Sequence, residues 1–292
     1  MTKKLLILLI LLIILASCLS NPPVQDHSTV VKTHVFDKKD LKRIEELTVS
    51  IGAIGDVLLH QRVYEKAAKT DGTYDFDPMF KKVAPLLEEP DFLMANQESV
   101  PGGVELGLST YPSFNSPKEI VTTLQKLGVD MVIGANNHAL DRGITAIESA
   151  LDFYDEIGMK YVGMYRNKED RETNRIVRVD DMTIGVLAYT YGTNGIRIPI
   201  GHEHVIAMQD REQMIEDVKK LEGKVDLLIV HMHWGNEYER QPNDQQRELA
   251  QMLAKAGVDL IFGHHPHVLQ PIEKITLEEG HETLVFYSLG NF

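Results

Sequence analysis

The chain has 292 residues, enough for one large α/β domain or two small ones, and its 43% hydrophobic and 25% charged residues are ordinary for a soluble globular fold. A formal net charge of -13 excludes a protein that grips nucleic acid or an anionic membrane by a basic face, because that attraction needs clustered Lys and Arg. An anionic substrate would need a local positive centre, and bound metal ions supply one.

Residues 1–18 run from Lys3-Lys4 through an apolar stretch, Leu5 to Ala16, to Ser17-Cys18, the plan of a secretory signal. The stretch is shorter than the roughly 20 apolar residues of a transmembrane helix. Leu15-Ala-Ser-Cys18 resembles the bacterial lipobox, whose Cys becomes the acylated first residue of the mature chain. Cys18 is also the sole cysteine, so no internal disulfide can form and lipidation of this thiol is expected. An uncleaved signal anchor is the alternative. Residues 19–46 are polar, carry Pro22-Pro23 and a charged run from Asp37 to Arg43, and read as a tether to a folded domain over residues 47–292. His27 and His34 within the tether are expected to be solvated.

The alternating, β-branched run Thr48 to Asp56 predicts the first strand, ending in an acid, with His60 just beyond it. Asp77-Pro78 predicts a helix to about Glu88 with Pro at its first position. Asp91 to Glu98 is another apolar run closing in Asn96-Gln-Glu98. Residues 101–114, rich in Gly, Ser and Pro, read as an exposed loop. Ser116-Pro-Lys-Glu119 has the form of a capping box opening a helix over 117–127.

The next strand, Gly128 to Ile133, delivers Gly134-Ala-Asn-Asn-His138 and then Asp141, after which a periodic stretch from Ile144 to Ile157 predicts an amphipathic helix. An amide, an imidazole and a carboxylate thus sit outside the carboxyl end of a strand, where open α/β sheets put their ligands. Strands are expected at 161–164 and 183–189. His202 and His204 lie in an irregular loop, where a surface role is expected. Asp210 caps a helix running to about Leu221.

Val225 to Val230 is nearly continuous in apolar residues, as in a strand buried on both faces, and it closes in His231-Met-His233-Trp-Gly-Asn-Glu237. The strand period of two puts His231 and His233 on one face. Asn243 caps a helix to Ala256. Val258 to Phe262 is a strand that delivers Gly263-His-His-Pro-His267, three imidazoles in four positions. A last strand from Leu284 closes in Asn291. Seven of the twelve histidines therefore fall at strand ends, beside a carboxylate or another histidine. Repeated strand, polar turn and helix without a fixed period predicts an α/β fold.

Gly55-Asp56, Asn96-Gln-Glu98, Ala135 to Gly143, His233 to Tyr238, Gly263 to Val268 and Tyr287 to Phe292 together resemble the CapA family of poly-gamma-glutamate capsule synthesis proteins, called PgsA in bacilli, over about residues 48 to 292. That family resembles the calcineurin-like metallophosphoesterases. The resemblance implies a two-sheet sandwich flanked by helices, in four layers α/β/β/α, holding a pair of divalent ions (Mn, Zn, Fe or Mg). Asp56 and Glu98 would be carboxylate ligands, Glu98 able to bridge. Asn137 would be the amide ligand, His138 the catalytic acid, and His233, His265 and His267 the imidazole ligands. His60, Asp141, His231, Glu237, His264 and Asn291 would stand behind these ligands or replace them, His264 competing with His265.

The chain departs from the superfamily pattern in lacking Asp-x-His at Asp56 and in having Glu rather than Asp at position 98. The family continues past Ser-Leu-Gly-Asn-Phe, so a fragment is expected here. The implied role is that of an exported accessory protein of poly-gamma-glutamate capsule synthesis or export, lipid-anchored at the outer face of the cytoplasmic membrane. Its partners would be the polymerase and export subunits and poly-gamma-glutamate or another envelope polymer. The alternative is an active metal-dependent phosphoesterase acting on an envelope substrate.

Overall fold

Along strand β2 (Phe92–Asn96), Phe92 and Met94 turn to one side and Leu93 and Ala95 to the other, and all four are buried, so this strand lies between two apolar layers. Strand β7 (Leu227–His233) behaves alike, with Ile229 on one face and Leu228, Val230 and Met232 on the other. These two strands belong to different sheets. The computed structural model describes residues 48–292; the signal, Cys18 and the tether lie outside the described residues. No helix among the described residues is long and apolar enough to cross a membrane.

The first sheet pairs β1 (Ile51–Asp56), β2, β3 (Val129–Ile133) and β4 (Lys160–Val162) in that order, all parallel. The second has the order β5 (Ile176–Val179), β6 (Met182–Thr190), β7, β8 (Leu260–His264), β10 (Glu282–Phe286), β9 (Ile272–Thr276). Its four central strands are parallel and its two outer strands antiparallel. Phe92, Met94, Met131, Ile133 and Val162 of the first sheet pack on Ile184, Val186, Ile229 and Phe262 of the second. The outer face of the first sheet is covered mainly by α4 (Glu119–Lys126) and α5 (Gly143–Ile157), that of the second by α7 (Arg211–Leu221) and α8 (Asp244–Lys255). The architecture is the four-layer α/β/β/α sandwich expected.

Several local expectations are corrected. The stretch from Asp77 to Glu88 is two short turns, α2 (Asp77–Phe80) and α3 (Ala84–Leu87), because Pro85 has no N–H to continue the first. The loop over 101–114 is exposed only along its tip; Pro101, Gly102, Gly103 and Phe114 are buried. The capping box at Ser116 does not form: the Ser116 hydroxyl donates to the buried carbonyls of Ser99 and Val100, and α4 begins at Glu119 without a side-chain cap. Strands β5 and β9, and the helices α1 (Gln61–Ala67) and α6 (Lys168–Glu172), were not anticipated. The caps at Asp210 and Asn243 do form, the latter as a reciprocal box with Gln246.

The two sheets are tied at the carboxyl ends of their strands by the last residues. Asp56 N–H donates to the Gly290 carbonyl at 2.8 Å, and Asp56 pairs with Asn291 in a parallel bridge. A Cβ on Gly55 would overlap Gly290 O, so only glycine lets the two backbones approach this closely.

Candidate metal centre

Several of the parallel strands leave a polar residue at this end of the sandwich. β1 ends in Asp56 and β2 in Asn96, which are register partners. After β3 the chain turns through Asn136, whose side chain donates to Gln97 O (2.9 Å) and accepts from His138 N–H (3.1 Å). That turn leaves Asn137 free to face the other sheet. β7 ends in His233, and β8 runs into His264-His-Pro-His267. His265 and His267 both have positive φ, 97° and 58°. Such backbone costs of order 1–3 kcal/mol per residue and persists only where the surroundings over-determine it. Here the bend turns the His265 N–H and the His267 ring toward Asp56, and the His265 ring toward His233.

The side chains converge. Asp56 Oδ2 is 3.1 Å from His267 Nδ1 and accepts from His265 N–H at 3.2 Å. Glu98 Oε2 is 3.8 Å from His267 Nδ1, and Glu98 Oε1 is 3.4 Å from His233 Nε2. His233 Nε2 lies 2.8 Å from Asn137 Oδ1, and the rings of His233 and His265 are 4.9 Å apart. Donor atoms of Glu98, His233 and His265 lie within 4.8 Å of one another, as do those of Asp56, Glu98 and His267. Glu98 belongs to both groups.

Burial sets the charge states. Glu98 is fully buried, and burial followed by the nearby Asp56 charge pushes its carboxyl well above the usual range. Burial would also raise Asp56, but the adjacent imidazoles of His264 and His267 outweigh it and hold that carboxyl well below the usual range. Burial drives His233 well down, and His265 is pushed down to about 4 by burial and then by His267. Burial works against protonation of His267 too, yet the hydrogen bond and charge of Asp56 raise it. Neutral imidazoles carry the lone pairs a cation needs.

Both oxygens of Glu98 are buried without any hydrogen-bond partner. A carboxylate stripped of water and of donors is costly unless a cation meets it. Carboxylate, amide and imidazole donors suit hard or borderline divalent ions, so the residues present fit such an ion.

Of the other residues singled out in the sequence, Asp141 Oδ2 is 2.7 Å from His138 Nδ1 and accepts from Phe114 N–H at 2.6 Å. Glu237 is exposed at the rim, with an oxygen within 4.8 Å of donors on His265 and His267. Asn291 stands beside His267 and helps to raise its imidazole. His264 and His231 stand behind Asp56, turned away from the cluster. His60 does not join the site; it is exposed, and its ring meets the edge of Phe114 at 5.1 Å because it starts α1, which leads the chain away. His202 and His204 are half-buried rather than fully at the surface, with His204 Nε2 3.1 Å from Arg166 O.

Sequence reasoning passed over four residues. Asn96 Nδ2 donates to Asp56 Oδ1 at 2.7 Å. Tyr191 lays its ring 4.8 Å from His265 and parallel to His233 at 6.3 Å. Asn194 accepts from Asn137 Nδ2 at 3.2 Å and lies 3.3 Å from His138 Nδ1. Phe114 packs edge-on to His138 at 4.7 Å. Asn96 carried a signal, since it closes the strand next to that of Asp56; the others are loop residues whose partners only the fold reveals.

The profile of the family described as bacterial capsule synthesis protein PGA_cap matches residues 50–292. The chain is 30% identical over 261 residues to the PGA biosynthesis protein CapA of Bacillus subtilis (strain 168), covering 86% of this chain and 65% of that protein. It is 28% identical over 257 residues to the capsule biosynthesis protein CapA of Bacillus anthracis, covering 85% and 60%. The chain thus spans less than two thirds of the length of these curated relatives. Among solved structures, the NAD nucleotidase of Haemophilus influenzae is similar with a TM-score of 0.52 at 13% identity, over 83% of this chain and 50% of that one. That likeness shows a metallophosphoesterase-like fold. Matched along nearly all of its described length, the chain belongs to the bacterial capsule synthesis protein PGA_cap family.

Proposed function

We propose that the protein serves poly-gamma-glutamate capsule synthesis or export from the outer face of the cytoplasmic membrane, tethered through Cys18, and that its domain is a metal-dependent hydrolase of the phosphoesterase type. One observation carries the chemical half of this reading: Glu98 is buried with both oxygens unpartnered between two groups of donors. Asp56, Glu98 and His267 would hold one ion and Glu98, Asn137, His233 and His265 a second, with Mn, Zn, Fe and Mg all compatible with the donors. Ions bound there supply positive charge for an anionic group and activation of a water.

The chain's own residues do the rest. Asp141 holds His138 at Nδ1, so the imidazole works through Nε2, where it delivers a proton to a leaving oxygen. Phe114 fixes the ring from the side. Tyr191 walls the ligand imidazoles off from solvent on one flank. The capsule role draws on the family and on the CapA relatives.

The test is metal analysis of the purified protein with a phosphodiester assay beside it. His138→Ala should keep its metal and lose about 10²–10⁴-fold in turnover. Metal retention without any wild-type turnover would leave a structural or polymer-binding site, and capsule formation in cells carrying His138→Ala would then be unimpaired.

A further inference from the structure

The two oxygens of Asp56 keep different company. Oδ2 faces the donor cluster, beside His267 Nδ1 and His265 N–H. Oδ1 faces the opposite way, 2.7 Å from Asn96 Nδ2 and 3.5 Å from His264 Nδ1. His264 is 1% exposed, and its Nδ1 is buried without a hydrogen bond, with Asp56 Oδ1 standing 3.5 Å away. Its Nε2 is 3.0 Å from His231 Nδ1, the two rings stacked at 5.3 Å with 9° between their planes. His231 reaches on into the core between the sheets, with Nε2 3.2 Å from Met94 Sδ. His264 is therefore not a rival of His265 for a cation: one ring nitrogen is taken by His231 and the other addresses the far oxygen of Asp56.

We propose that Asn96, His264 and His231 form a buried brace on Asp56 Oδ1, with the His264 proton on Nδ1, so that Oδ2 alone is presented to a cation. The proposal rests on the reading of the cluster as a metal centre. A carboxylate with both oxygens free can rotate and chelate through either or both. Two N–H donors on Oδ1 remove that freedom. Donation is required of both, because a carboxylate only accepts, which also assigns the Asn96 amide with its nitrogen toward Asp56. His231, which then donates its Nδ1–H to His264 Nε2, fixes the plane of the His264 ring from behind, and Met94 and Phe262 pack against His231 in turn. The three are positioning residues, touching neither substrate nor cation.

The experiment uses the full chain in detergent and Mn²⁺ alone as the probe. His264→Phe should weaken Mn²⁺ binding by about 10–100-fold. His264→Asn, whose amide nitrogen can stand where Nδ1 stood, should recover most of that loss. A long-range ¹H–¹⁵N spectrum of the metal-free wild type should show His264 protonated at Nδ1. Wild-type affinity in His264→Phe, an Asn variant no better than the Phe variant, or a bare Nδ1 in the spectrum would overturn the brace. Should the Phe variant not fold, the wild-type spectrum still decides. Should the wild type bind no Mn²⁺, the metal reading fails, and the same spectrum decides the brace separately.

Discussion

Glu98 is the residue on which charge, burial and sequence disagree most. In the metal-free protein its folded pKa lies above the unfolded value of about 4.3, so the folded state keeps a proton that the unfolded chain has released. That contribution to stability is fully present below the unfolded pKa and is lost as the pH rises through the folded one. His265, pushed down to about 4, works in the opposite sense, stabilising above about 6.5 and less as the pH falls. Glu98→Gln deletes the first dependence and leaves the second. With a chelator present, the variant should melt higher than the wild type at neutral pH, by about 2–4 °C for each kcal/mol recovered. It should also lose metal binding by more than the about 10–100-fold that an outer partner costs. Calorimetry over about pH 4 to 8 checks this, and parallel profiles for the two proteins would count against a protonated Glu98.

Much of the donor set was legible as residue types at strand ends, because parallel strands of an α/β fold all discharge at one end and the polar residues there must meet. What could not be read was which imidazole faces which way. His264 and His265 are neighbours in sequence, and only the positive φ of His265 separates a ligand from a brace.

At the scale of elements, legibility followed length and apolar content. The runs at β2, β3, β7 and β8 are buried on both faces and announce themselves. β5, at four residues, is too short to show a period, and β9 turns Ile272, Lys274 and Thr276 to solvent with only Ile275 buried; both lie at sheet edges. Helix α6, Lys-Glu-Asp-Arg-Glu, has no apolar periodicity and exists because Asn167 caps it. The cap of α8 is a cleaner case: Asn243→Ala removes the half of the box made by its side chain, leaving the backbone N–H of residue 243 on Gln246 Oε1, and should cost about 1 kcal/mol in chemical denaturation without changing metal content. Gly55→Ala should do more, since its methyl would force β1 from the Gly290 carbonyl. We expect a loss of about 1–3 kcal/mol or more together with weakened metal binding, because Asp56 is the next residue. Unchanged affinity in that variant would mean the bridge to Gly290 does not position Asp56.

For the whole molecule, the centre joins the two sheets at their shared end, with Asp56, Glu98 and Asn137 from one and His233, His265 and His267 from the other. An ion there acts as a clasp between layers that otherwise meet through apolar contacts. Removing it with a chelator should lower the melting temperature by roughly 5–10 °C, from about 2.7 kcal/mol of linkage at a free ion concentration 100 times Kd. An unchanged midpoint would indicate that the sheets need no clasp.

The span of the clasp along the chain also sets a clock. Asp56 meets His265 and His267 across 209 and 211 residues. At about 5–20 residues per second, the ribosome finishes the second half of the centre roughly 10–40 s after the first. During that interval Asp56 and Glu98 exist without the imidazoles that complete their shells. Metal capture therefore waits for the turn after β8, and a nascent chain stopped before β8 carries Asp56 and Glu98 without His265 and His267.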